Sequence, residues 1–349
     1  MCIFACILTP CPRSLPGSGP SPSGSTRYLM PDTRPDIHVA IAFDEGYVRP
    51  VYVLLTSIFV NNPDCQIQVH AIATEVPEAE KAKMVAYARQ QGGDMHFYVV
   101  GPEVTQGFPV PGPDEPEAYI TMAAYYRLFL PHLLPQDIER LLYLDIDILV
   151  VGRLLPMYQT PMGDTAVGAV MEIEVPLRDE IGITNLADYF NSGVLLMALP
   201  QWRAQHITEK ALEVIRATPA ATLKYHDQDA LNVVFHGTWH RLDSRYNLMK
   251  AYIPHDLARR DYQKFLADQV IIHYNGRNKP WHRACENKLR FLYPQYLRQS
   301  PVAQLGQFLP KPLSRQGMAN LVRSRALETY FNYPEVANLW RRVKGALGR

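Results

Sequence analysis

Two acids interrupt an otherwise apolar run, Arg140-Leu141-Leu142-Tyr143-Leu144-Asp145-Ile146-Asp147-Ile148-Leu149-Val150-Val151. Read as one buried strand, the run alternates faces, so Asp145 and Asp147 point the same way and Ile146 opposes them. Neighbouring carboxylates repel and lose hydration unless a cation sits between them, and a divalent metal is the simplest such cation. Acid-x-acid alone is a weak motif, so a third ligand is needed. His273 stands near the end of the apolar stretch Val270-Ile271-Ile272-His273-Tyr274, ahead of Asn275-Gly276-Arg277-Asn278-Lys279-Pro280-Trp281. A strand-end histidine taken alone is more often a hydrogen-bonded structural residue. The loop after it adds a glycine that lets backbone approach a ligand and a lysine that can neutralise phosphate. Two carboxylates and an imidazole suit Mn²⁺, and Mg²⁺ somewhat less, with a diphosphate filling the open positions.

Two further stretches carry polar groups at unusual places. Tyr225-His226-Asp227-Gln228-Asp229-Ala230-Leu231-Asn232, taken alone, reads as a helix start, with Asp227 as N-cap and Asp229 complementing the dipole. In Phe190-Asn191-Ser192-Gly193-Val194-Leu195-Leu196, Asn191 reads as a turn residue before a strand and Gly193 as a point of close packing.

The elements that position these residues follow from periodicity. Ile37 to Phe43 predicts a buried first strand, and a helix begins near Pro50 with the apolar stripe Val51, Leu54, Leu55, Ile58 and Phe59. Gln66 to Thr74 predicts a second strand, Pro77 to Gln91 a helix and Met95 to Val100 a third strand. This β-α-β-α-β order predicts a parallel sheet covered by helices, with ligands at the carboxyl ends of strands. Thr121 to Leu130 predicts a helix closed by Pro131. Strands are expected at Ala166–Met171, Ser192–Leu199 and Val270–Tyr274, and helices at Gln201–Ala217 and Gln228–Phe235. Neither G-x-G-x-x-G nor a Walker A motif is present, so a nucleotide would be held by side chains and a metal.

Composition sets the bounds. The 349 residues are 47% hydrophobic and 20% charged, enough for a sizeable core, and the net charge is +1. Eight Lys and Arg against two acids give residues 311–349 about +6 and leave the body near −5, without a nucleic-acid signature. Five cysteines show no metal-type spacing and no disulfide framework, which fits a reducing, cytoplasmic setting. No apolar run approaches the ~20 residues that span a bilayer. Residues 1–36 read as a disordered leader, and Met30 offers an alternative start. Residues 37–300 are expected to form one domain, and 301–349 a basic amphipathic tail.

Taken together, the ordered motifs are specific. They are Ala42-Phe43-Asp44-Glu45-Gly46-Tyr47, Tyr126-Arg127-Leu128, Leu142-Tyr143-Leu144-Asp145-Ile146-Asp147, the Asn191 and Asp227 stretches, and His273 to Trp281. On these the chain resembles glycosyltransferase family 8, and within it the bacterial lipopolysaccharide galactosyl- and glucosyltransferases. The resemblance implies an α/β fold of GT-A type: a mostly parallel mixed sheet flanked by helices, here with a basic helical C-terminal tail. It implies a retaining hexosyltransferase that takes glucose or galactose from UDP-glucose or UDP-galactose to a saccharide acceptor, lipid-linked or otherwise cell-surface.

Position by position, the resemblance implies that Asp145, Asp147 and His273 bind Mn²⁺, while Asp44 and Tyr47 hold the uracil. Arg127, Asn191 and Asp227 would contact the donor sugar, Gly276 and Lys279 the diphosphate, and Gln228 would lie beside the anomeric carbon. Glu172, Tyr225 and Asn275 fall on the acceptor side. Gly46 departs from the polar residue that the family often places there for the ribose. A carboxamide is a poor covalent nucleophile, which favours front-face attack assisted by Gln228 over a covalent intermediate on Asp227. The alternatives are a metal-dependent nucleotidyltransferase and a non-catalytic sugar-nucleotide or carbohydrate-binding protein. The tail's mixture of basic and aromatic residues predicts peripheral contact with the inner face of the membrane.

Overall fold

The computed structural model describes residues 33–110, 121–282, 285–303 and 315–333, together with 335, 336, 338–340 and 343. The expected leader, with Met30 and three of the cysteines, lies outside the described residues through position 32, as do residues 304–314.

The chain opens with β1 (Asp36–Asp44), α1 (Val48–Asn61), β2 (Gln66–Thr74), α2 (Glu78–Gln90) and β3 (Asp94–Tyr98). Then come α3 (Leu130–Leu133), β4 (Arg140–Leu144), β5 (Ile148–Val150), α4 (Leu155–Tyr158), β6 (Val167–Met171) and β7 (Phe190–Ala198). Helices α5 (Leu199–Ala204), α6 (Ile207–Ala217) and α7 (His226–Val234) lead to β8 (His240–Arg241), α8 (Tyr262–Leu266), β9 (Ile271–His273), α9 (Tyr293–Gln299) and α10 (Arg315–Asn332). Seven strands form one sheet in the order β3-β2-β1-β4-β7-β6-β8, and β5 pairs with β9 in a separate small sheet. Strands β3, β2, β1 and β4 run parallel, whereas β7 is antiparallel to both its neighbours.

Strand alternation divides the core into two layers. Val39 and Ile41, Leu142 and Leu144, Val194 and Leu196 face one side with Leu54, Leu55 and Ile58 of α1. Ala40 and Ala42, Leu141 and Tyr143, Leu195 and Met197 face the other, with Ile207, Ala211 and Ile215 of α6. A strand covered on both faces has no polar side to show, which is why β1 and β7 read as nearly continuous apolar runs.

Three expected elements differ. The run from Arg140 to Val151 is two strands in two sheets, and Asp145, Ile146 and Asp147 form the turn between them. Thr121–Leu130 is a 3₁₀ segment over Met122–Leu128; Pro131 opens the short α3, as suits a residue without an N–H. The helix expected over Gln201–Ala217 breaks at Gln205 and His206, the latter in the left-handed region at φ 52°.

Side chains of α1 hold β5 in place. Ser57 Oγ accepts from Val150 N at 3.0 Å, and Asn61 Nδ2 donates to Val150 O at 2.9 Å, so both backbone polar groups of Val150 are satisfied from α1. The position of Asp147, one residue before β5, is thereby tied to α1.

Candidate active site

The strand ends of the sheet open on a cleft of about 300 Å³. Of the fourteen site residues read from the sequence, thirteen line it: Tyr47, Arg127, Asp145, Asp147, Glu172, Asn191, Tyr225, Asp227, Gln228, His273, Asn275, Gly276 and Lys279. Asp44 stands at its edge, at the end of β1, where its Oδ1 accepts from Gly46 N at 3.0 Å and caps the following 3₁₀ turn. Burial raises the Asp44 carboxyl above its ordinary range, opposed by that hydrogen bond. Tyr47 packs edge-on against Trp281, ring centroids 6.3 Å apart, and burial pushes its phenol up to about 12.

The two acids of the β4–β5 turn meet His273 at the end of β9. His273 Nε2 lies 3.3 Å from Asp147 Oδ1 and 4.0 Å from Asp145 Oδ2. One ligand atom from each of the three residues lies within 4.8 Å of the others. Two ligands each about 2.1 Å from one ion are at most about 4.2 Å apart, so both distances fit a shared divalent ion. Gly193 makes the space: a Cβ there would collide with His273 Cε1 and stand 2.7 Å from Asp145 Oδ2.

Contrary to the expectation that the paired acids need an ion between them, the protein itself supplies their counter-charges. Fixed cations already flank both acids: Arg127 Nη2 is 3.0 Å from Asp145 Oδ1, and Lys279 Nζ contacts Asp147 Oδ2. Burial alone would raise Asp147, yet Lys279 and His273 hold it well below the usual carboxylate range. Repulsion does not demand an ion here. The convergence of an O, O, N donor set does the pointing instead.

Arg127, 4% exposed, organises the rear wall. Its Nε donates to Ala124 O at 2.8 Å, its Nη1 donates to Ser192 O and Oγ, and its guanidinium lies 4.5 Å over the Tyr143 ring. Tyr143 in turn donates to Asp145 Oδ1 at 3.0 Å. With every nitrogen engaged, Arg127 is first a brace for Asp145 and Asp227. Asp227 Oδ2 lies 3.0 Å from Arg127 Nε but finds no hydrogen-bond donor among the described residues. Burial pushes Asp227 up to about 7 despite Arg127, with Asp145 adding to the rise. A buried carboxylate oxygen left without a donor on a cleft wall is an acceptor suited to a ligand hydroxyl. Asp227 is not the N-cap of α7; it lies inside the first turn, and Tyr225 occupies the cap position.

Gln228 is fixed at both ends. Its Oε1 accepts from Ser192 N at 2.9 Å, which settles which amide atom is oxygen, and its Nε2 donates to Tyr189 Oη at 3.2 Å. Tyr189 donates to Asp229 Oδ1 at 2.6 Å, and Asp229 is paired with the fully buried Arg178 at 2.7 Å. On the opposite wall, Glu172 accepts from Asn191 Nδ2 at 3.0 Å and from Glu174 N at 2.8 Å. Asn275 Nδ2 donates to Glu174 Oε2 at 3.1 Å, and Tyr225 lies under the Arg178 guanidinium at 5.1 Å. Asn191 is inside β7 rather than in a turn before it. Gly276 adopts φ +86°, a conformation that strains any residue with a side chain.

Sequence reading did not single out Ser192, Tyr189, Asp229, Arg178 or Asn247 for the site. Ser192 meets Gln228 and Arg127 through its backbone N–H and C=O, which leave no trace in residue type, as well as through its hydroxyl. Asn247 lies in an irregular segment with no periodic neighbours to mark it.

The profile of glycosyl transferase family 8 matches residues 38–285, which includes every residue of this cleft. The chain belongs to glycosyl transferase family 8. General stress protein A of Bacillus subtilis is 27% identical over 75% of this chain and 93% of its own length. The lipopolysaccharide 1,2-glucosyltransferase of Escherichia coli K12 is 29% identical over 71% of this chain and 73% of its own. Among solved structures, galactosyltransferase LgtC in complex with donor and acceptor sugar analogs superposes with TM-score 0.64 at 28% identity, covering 82% of this chain and 99% of that one. The family 8 fold is of GT-A type, a mixed and mostly parallel seven-stranded sheet flanked by helices. The family 8 activity is that of a retaining hexosyltransferase on a glycan, and the nucleotidyltransferase and binding-protein alternatives are not favoured.

Proposed function

We propose that this enzyme moves glucose or galactose from a UDP-sugar to a hydroxyl of a saccharide acceptor, in a lipopolysaccharide or another cell-surface glycan. The observation that carries the reading is one cleft in which a three-residue metal-type donor set faces Lys279, Asp227 and Gln228. The cofactor is Mn²⁺, with Mg²⁺ as the substitute, held by Asp145, Asp147 and His273. When bound, such an ion serves as a Lewis acid toward the leaving diphosphate.

The chain's own residues do the rest. Tyr47 stacks on the uracil beside Asp44, and Lys279 and the backbone at Gly276 meet the diphosphate. Asp227 and Asn191 take sugar hydroxyls, with Arg127 bracing Asp227. As the glycosyl–phosphate bond breaks, positive charge grows on the sugar, and the fixed carbonyl of Gln228 offers it an electron-rich oxygen. The acceptor hydroxyl, positioned from the side of Glu172, Tyr225 and Asn275, attacks the same face and gives its proton to the departing phosphate oxygen. The likeness to lipopolysaccharide glucosyl- and galactosyltransferases supports the acceptor class.

The test is UDP release from UDP-glucose and UDP-galactose with Mn²⁺, with and without saccharide acceptors. Asp145→Ala is expected to lower turnover by about 10²-fold or more, several kcal/mol of lost charge stabilisation. Full activity in that variant ends the reading.

By the same reading, residues 37–300 are the catalytic domain, preceded by a leader and followed by the tail 301–349, of which residues 311–349 bring the cytoplasmic enzyme to the inner membrane face. Among the described residues no helix is long and apolar enough to cross a membrane. Met318, Val322, Leu339 and Trp340 are exposed, as are Arg315 and Arg323. Truncation at Lys311 is expected to abolish partitioning onto anionic vesicles; unchanged partitioning removes the proposal.

A further inference from the structure

Asn247 is completely buried and belongs to no regular element, yet it sits between a metal-type ligand and a sugar-side residue. Its Nδ2 lies 2.9 Å from Asn191 Oδ1, and its Oδ1 lies 2.9 Å from His273 Nδ1. Asparagine amides and imidazole rings can each be read in two ways, and here a backbone group settles all of them in sequence. Gly193 N–H donates to Asn191 at 3.0 Å, so the Asn191 atom facing it is oxygen. The other Asn191 atom, then NH₂, points at Glu172 Oε2, an acceptor, which agrees. Since Asn191 Oδ1 also faces Asn247, the Asn247 atom meeting it must be its NH₂. The remaining Asn247 atom is therefore an oxygen, and the His273 nitrogen 2.9 Å from it carries a hydrogen.

We propose that Asn247 is a positioning residue that fixes the Nδ1–H tautomer of His273 and couples it, through Asn191, to Glu172 on the acceptor side. The proton on Nδ1 leaves the Nε2 lone pair directed at Asp147 and Asp145, the orientation a metal ligand needs. The chain Gly193 N–H, Asn191, Asn247, His273 allows each amide one orientation, so turning either amide leaves a buried donor facing a donor or an acceptor facing an acceptor. The ligand side and the acceptor side of the cleft thus share one hydrogen-bond polarity.

The consequence for metal affinity rests on the metal reading above, so the test has an arm that does not. Heteronuclear NMR of ¹⁵N-labelled imidazole, without added metal and at a pH where the ring holds one proton, is expected to place the His273 proton on Nδ1. A proton on Nε2 overturns the proposal. Asn247→Leu, which removes both functions while keeping the branching of the side chain, is expected to mix the tautomers and weaken Mn²⁺ binding by about 10- to 100-fold, the usual effect of losing such a support. Asn247→Asp keeps an acceptor for Nδ1–H but loses the donor to Asn191. It is expected to retain Mn²⁺ affinity while the KM for the donor sugar rises, a split that a merely structural role would not produce. A folded Asn247→Leu protein with the wild-type tautomer and wild-type Mn²⁺ affinity refutes the coupling. Should the unmodified protein bind no Mn²⁺ by titration calorimetry, the metal reading fails, and the ring spectrum still decides the tautomer.

Discussion

Asp147 divides its two oxygens between a lysine and a metal-type ligand. Its Oδ2 contacts Lys279 Nζ, while its Oδ1 faces His273 Nε2 at 3.3 Å. A divalent ion held by the three ligands competes with Lys279 for that carboxylate, and the lysine is the residue proposed to meet the diphosphate. Removing its charge should therefore move two affinities in opposite directions. Lys279→Met is expected to tighten Mn²⁺ in the absence of nucleotide, and to raise the KM for the UDP-sugar by about tenfold, equivalent to about 1.4 kcal/mol. Calorimetric titration of Mn²⁺ into both proteins checks the first part; weaker binding in the variant would show that no competition exists. Asp145 and Asp147 were legible because charge inside an apolar run is conspicuous, and Lys279 because it follows His273 in a glycine-bearing loop. Asn247 was not, since a buried neutral amide has no such contrast with its neighbours in sequence.

At the scale of elements, the turn between β4 and β5 brings the acids together, not the alternation of one strand. The apolar residues run on across Asp145 and Asp147, so nothing in residue type marks where the chain leaves one sheet for another. The uniform strands were easier: β2 falls on Gln66–Thr74, where alternation placed it, because a full-length strand repeats its pattern several times. A three-residue strand such as β9 repeats it barely once. Gly193 shows how closely β7 must approach the turn, since Asp145 N donates to Gly193 O at 2.8 Å. Gly193→Ala would drive a methyl group into His273 and Asp145. Its expected effect is an Mn²⁺ affinity lower by at least about tenfold, with a smaller loss of thermal stability, because the displaced atoms are side chains at a cleft. An alanine variant with unaltered Mn²⁺ affinity would place the ion elsewhere.

For the whole molecule, the β-α-β-α-β opening foretold a parallel sheet with helices on both faces, and layers of apolar residues built on alternate positions of β1, β4 and β7 follow from it. The reversal at β7 and the separate pairing of β5 with β9 depend on contacts far apart in sequence and had no local sign. Those two sheets meet at the donor set: Asp145 follows the last residue of β4, Asp147 precedes the first residue of β5, and His273 ends β9. An ion bound there acts as a suture between two separately hydrogen-bonded bodies of the protein. Ligand at 100 times its dissociation constant adds about 2.7 kcal/mol to stability, and that increment would be felt where the two sheets join. Mn²⁺ should slow amide exchange in Ile148–Val150 and Ile271–His273 more than in β2 and β3, and chelation should reverse it; equal slowing everywhere would mean the join is not where the ion acts. On the proposed metal reading, mechanical cohesion and catalysis would draw on the same three side chains, so loss of the ion would leave an enzyme both idle and looser along that line.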